Sequence, residues 1–163
     1  MAVSAYEVIS TQTLASATAS VTFSSIPQTY TDLVLVVNGT NSADTNVVTR
    51  FNSDTGSNYS STRLYGTGSS AASDRYSNIT FANLTAGNTT GIYNFIAHIQ
   101  NYANTTTYKT IISRSNVTGD IVAAITSLWR NTAAISTLLV MLNSAGNFST
   151  GSTFTLYGIK ASA

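Results

Sequence analysis

The chain has 163 residues, only 8% of them Asp, Glu, Lys or Arg, with a net charge of +1 and no cysteine. Average soluble domains carry about 25% charged residues, and here neither sign clusters, so a basic stripe for nucleic acid and a polybasic patch for anionic lipid are excluded. The lack of thiols excludes a disulfide framework, thiolate metal sites and a cysteine nucleophile.

Polarity is supplied by Ser, Thr and Asn, which make up well over a third of the chain. With 43% apolar residues and little charge, this is the opposite of a disordered composition. The length predicts a single domain over 1–163, able to bury about 70% of its unfolded surface. Residues 1–7 carry no basic stretch ahead of an apolar run, so no targeting segment is expected. Apolar runs reach about five residues, far below the roughly 20 that span a bilayer.

Period-2 alternation dominates. A first strand is expected over 6–14. Ala17, Ala19, Val21 and Phe23 then alternate with Thr18, Ser20 and Thr22, a half-buried strand. After Pro27, the unbroken run Leu33 to Val37 suits a central strand covered on both faces, closed by an Asn38-Gly39 turn. Strands are expected over 47–52 and 61–66, with polar turn formers at 52–60. The segment 66–91 is long and polar, and reads as a projecting loop or arm. Tyr93, Phe95, Ala97 and Ile99 mark another long strand, followed by strands over 108–117, 135–142 and 153–160. Two readings stay open for 120–130. Ile121, Ala124, Ile125 and Leu128 have helical spacing behind Asp120 as N-cap, whereas Ile121, Ala123, Ile125 and Trp129 fit one strand face. The surrounding strands favour the second. Nine or ten strands without a convincing helix predict an all-β, two-sheet sandwich, with jelly-roll topology as the expected version.

Enzymatic signatures are weak. His98, the sole histidine, lies opposite Tyr93 and Phe95 in the alternation and reads as a surface histidine rather than a triad member; G-x-S-x-G is absent. Asp54-Thr55-Gly56 matches the aspartic-protease tripeptide, but flanking Asn52-Ser53 and Ser57-Asn58 make it a turn. The six acids are scattered, so neither paired carboxylates nor a calcium loop is expected. Gly66-Thr67-Gly68 does not continue as a phosphate loop. Asn38, Asn58, Asn78, Asn83, Asn88, Asn104, Asn116 and Asn147 begin N-x-[ST] triplets, which this composition generates by chance. The reading is therefore no enzyme, with no catalytic, cofactor or metal residues. Nine Tyr against one Trp is informative, because tyrosine offers rigid contact area with a hydroxyl that tolerates water. Tyr59, Arg63, Tyr65 and Tyr76, in the polar middle, form the candidate interface. Trp129 is expected in the core.

Three segments carry a family likeness: Tyr6-Glu7-Val8-Ile9-Ser10 through Phe23-Ser24-Ser25-Ile26-Pro27; Arg50-Phe51-Asn52-Ser53-Asp54-Thr55-Gly56-Ser57-Asn58-Tyr59 through Thr62-Arg63-Leu64-Tyr65-Gly66; and Gly151-Ser152-Thr153-Phe154-Thr155-Leu156-Tyr157-Gly158-Ile159-Lys160. Together they resemble small virion proteins of tailed bacteriophages, cyanophages among them, while about 67–118 matches least. The resemblance implies a capsid cement or decoration protein on the outer virion surface, assembled in the host cytoplasm. Its partners would be the major capsid protein and copies of itself in a small symmetric oligomer. The alternative it implies is a tail-fibre or receptor-binding module for host surface glycan. No cofactor, nucleic acid or membrane partner is implied.

Overall fold

The computed structural model describes residues 5–86, 90–119 and 121–160; Asn88 and Asp120 lie outside them. The described residues form twelve strands and no helix. In chain order these are β1 (Tyr6–Thr13), β2 (Ser20–Phe23), β3 (Asp32–Asn41), β4 (Val47–Phe51), β5 (Tyr59–Gly66) and β6 (Ala71–Ile79). They continue with β7 (Ala82–Asn83), β8 (Gly91–Ile99), β9 (Lys109–Val117), β10 (Ile121–Trp129), β11 (Leu138–Leu142) and β12 (Thr153–Ile159).

Two antiparallel sheets result. The larger has eight strands in the order β1-β12-β3-β8-β9-β10-β5-β6, the smaller four in the order β2-β11-β4-β7. Pairing is nested: β1 with β12, β2 with β11, β3 with β12 and β8, β4 with β11 and β7. The expected two-sheet β-sandwich is what forms.

Alternation explains the layering, since successive strand side chains point to opposite faces. Leu33, Leu35 and Val37 of β3, Phe95 of β8 and Leu156 of β12 are buried, as are Phe23, Phe51 and Val140 of the smaller sheet, in one hydrophobic core. The rings of Phe51, Tyr59 and Trp129 form one aromatic cluster, with Phe51–Trp129 centroids 5.4 Å apart. Phe148 and Phe154 form another, edge to face at 5.0 Å.

Several expectations are corrected. The described part of 66–91 is not a projecting loop: Ala71–Ile79 pairs with β5 as the sheet edge, and Ala82–Asn83 joins β4, while 87–89 lie outside the described residues. Its polarity reflects an edge strand exposed on both faces, which needs no apolar side. Asn38-Gly39 does not end β3, which runs on to Asn41. Gly39 is required there because Ser152 and the Tyr93 hydroxyl occupy the space a Cβ would fill. Ala17 and Ala19 are exposed, so only Val21 and Phe23 of that alternation are buried. Between the two readings of 120–130 the strand is correct, with Ile121–Trp129 in register between β9 and β5. Val34 is buried on the outer face as well, flanked in register by Tyr157 and His98.

Candidate functional site

The candidate interface residues all come from the hairpin β5–β6, and the structure divides them. Tyr59 is fully buried, stacked on Trp129 at 6.2 Å, with the Phe51 N–H donating to its hydroxyl at 3.0 Å. Burial pushes its phenol well above the ordinary value. A side chain so enclosed contacts no partner, so Tyr59 leaves the interface. Its ring is apolar enough to complete the core once the hydroxyl is paired.

Arg63, Tyr65 and Tyr76 do meet. Arg63 lies opposite Asp74 in register, and its Nε and Nη2 donate to Oδ1 and Oδ2 at 2.7 and 2.5 Å. Nη2 also donates to the Tyr76 hydroxyl at 2.7 Å, and the guanidinium lies 4.7 Å from the Tyr76 ring centre and 5.8 Å from that of Tyr65. The hydrogen bond to Arg63 holds the Asp74 carboxyl below its usual range, and the same bond raises Arg63. Arg63 itself is buried, so it anchors the edge strand rather than reaching outward. Tyr76 remains partly exposed beside it.

A second feature emerges on the opposite face of the larger sheet, which the smaller sheet does not cover. Two register rows cross it. One runs Val36, Ile96, Arg114, Ala124, Leu64, Ser73 and the next runs Asn38, Asn94, Asn116, Val122, Gly66, Ala71. Small residues, Ala124 within the rows and Gly66, Ala71 and Ser73 towards the β6 edge, leave a depression, and Leu64, Ile96, Arg114 and Val122 wall it. The result is a groove of about 1010 Å³, the size of a ligand or side-chain binding site. Leu64 is 58% exposed, Val122 60%, and neighbouring Ile92 65%. The Asn94 amide donates to the Asn38 carbonyl along the amide row. Composition hid this face, because alanines and glycines gave no signal and register was needed to gather the rows.

The other singled-out residues are structural. Asp54 accepts from Trp129 Nε1 at 2.7 Å, from Asn58 Nδ2 at 2.9 Å and from the Gly56 N–H at 2.8 Å. Partial burial pushes its carboxyl up, but these bonds outweigh it and hold it below the usual value. His98 is half-exposed, its Nε2 3.0 Å from Asp32 Oδ2. Sequence reasoning missed Lys109, which is fully buried and donates to the Thr107 and Thr132 carbonyls at 2.8 and 3.2 Å; burial lowers its pKa. Among the described residues no three His, Asp or Glu side chains gather as a metal-binding group would, and no helix is long and apolar enough to cross a membrane.

No family model matches the chain, and no curated protein matches it. Among solved structures it is similar to a double mutant of the alginate lyase Aly36B in complex with an alginate tetrasaccharide. Identity is 10% and the TM-score 0.29, over 82% of this chain and 72% of the lyase. A TM-score that low supports neither a shared fold nor a shared ligand.

Proposed function

We propose that the chain is a non-enzymatic accessory coat protein of a tailed bacteriophage, a capsid cement that bridges major capsid subunits through the open face of its larger sheet. The observation that carries this reading is the set of exposed aliphatic side chains that face presents, Leu64, Ile92, Ile112 and Val122, one in each of four successive register rows. Several large aliphatic side chains left exposed on one sheet face mark a contact surface. Surrounding Thr and Asn side chains lose little entropy when ordered at a contact, compared with Lys or Glu. Modest contacts repeated around a shell sum by avidity, and copies of the chain would cluster as a small symmetric oligomer. The nested strand pairing supports reading the sandwich as a jelly roll.

The amide row Asn38, Asn94 and Asn116 favours a second reading, a tail-fibre module gripping host glycan. Particles assembled without the chain separate the two. The cement reading expects them to lose genome on mild heating while still adsorbing to host cells. Normal heat resistance with lost adsorption would replace it by the glycan reading.

A further inference from the structure

Arg114 stands near the middle of the open face, opposite Ile96 on β8 and Ala124 on β10. Among the described residues it has no ion pair or hydrogen bond, unlike Arg50, Arg63 and Arg130. Among the described residues, the other charged groups on this face are Arg75, which likewise has no ion pair or hydrogen bond, and the Asp32–His98 pair, whose Asp32 carboxylate is already engaged by His98 at 3.0 Å and the Asn101 N–H at 2.6 Å. Arg114 is exposed, so its guanidinium is open to an anion from outside, and a partner segment that covers it and the aliphatic side chains beside it would shield the resulting pair from water and strengthen it beyond an exposed salt bridge.

The groove also discriminates among occupants. A second copy docked by the same face would bring Arg114 towards Arg114, and like charges oppose that. A sugar is held by stacking on aromatic faces, but the walls here are Leu64, Ile96 and Val122, with Tyr65 alone among the lining residues carrying a ring. Aliphatic walls around one cation match a protein segment in which a single acidic residue is flanked by aliphatic ones, the core-plus-arginine composition of protein interfaces.

We propose that this groove is a socket for such a segment of the neighbouring capsid subunit, with Arg114 meeting its carboxylate and Leu64, Ile96 and Val122 packing its aliphatic side chains. The assignment rests on the cement reading above. It makes Arg114 the residue that selects the partner's register, and it makes docking weaken as salt rises.

The test uses the full-length chain and, as probe, intact capsids of the encoding phage assembled without it. Binding of wild type, Arg114→Gln, Arg114→Lys and Val122→Ser is measured at low and high salt. Arg114→Gln should weaken binding by about tenfold or more and flatten its salt dependence, with an unchanged melting temperature because the side chain has no internal partner. Arg114→Lys should recover part of the loss, and Val122→Ser should weaken binding without altering the salt slope. Wild-type binding that Arg114→Gln fully retains overturns the socket and leaves the cement reading standing. No binding of the wild type to these capsids overturns both. Binding to an oligogalacturonate tetramer that Arg114→Gln abolishes overturns the protein occupant in favour of an acidic glycan.

Discussion

Asp54 occupies a polar turn between β4 and β5, and the residues around it announce that turn plainly: Asn52 and Ser53 both adopt positive φ, 50° and 56°. The tripeptide reading as a turn is correct. What the tripeptide could not convey is that the carboxylate reaches across the sandwich end to the indole of Trp129, 75 positions away. Its folded pKa lies below the ordinary value, so its contribution is complete above the unfolded pKa of about 3.9 and disappears as pH falls through the lower folded value. Asp54→Asn should therefore cost about 1–2 kcal/mol at neutral pH. Urea unfolding should also show a shallower loss of stability below about pH 4 than in wild type. A variant as stable as wild type at neutral pH would remove Asp54 from the account. Arg63 and Tyr59 teach the same lesson in reverse. Their residue types pointed outward, to an interface, but a register partner in one case and an aromatic neighbour in the other drew them in.

At the scale of the strand, alternation revealed β3, β8, β9 and β12 because each has one buried face or two, and β1 because exposed and half-buried positions largely alternate along it. It could not reveal β6, with no buried apolar side, nor β7, only two residues long. The reason β7 can be so short lies in serines that looked like surface. Ser61 and Ser127 point inward with their hydroxyls 2.7 Å apart; Ser61 accepts the Asn83 N–H at 3.2 Å and Ser127 donates to the Asn83 carbonyl at 3.1 Å. Ser113 donates to the Leu84 carbonyl at 2.6 Å. These hydroxyls supply partners that a neighbouring strand would otherwise provide, so the buried backbone of 83–84 stays satisfied. Ser127→Ala should leave the Asn83 carbonyl without that donor and destabilise the fold by about 1–3 kcal/mol. Hydrogen exchange at the amides of 82–85 should accelerate before that of β9, and uniform protection would contradict the role given to the serine pair.

For the whole molecule, length, charge and periodicity were enough to foresee two packed antiparallel sheets. Order within the sheets was not foreseeable, because nested pairing brings together strands from opposite ends of the chain and leaves no local trace. The outermost such pair is β1 with β12, clasped by Lys160 Nζ on Glu7 at 2.7 Å, with the Tyr30 hydroxyl donating to the same carboxylate at 3.1 Å. Removing residues 1–13 would bare the full length of β12, a flat edge that invites pairing with other chains. We expect the truncated chain to melt about 5 °C or more below the intact one and to scatter light on standing; a soluble, equally stable product would show that β1 contributes no edge protection.

That same pair sets where anything appended must leave. Tyr6 sits across from Ile159, so polypeptide preceding the one and following the other departs from a common corner. Five strand spacings, about 24 Å, separate that flank from the strand that carries Val122. The near wall of the groove, Asn94 and Ile96 on β8, lies three strand spacings from β1 and two from β12, so cargo grafted to either end would leave from beside the groove rather than through it.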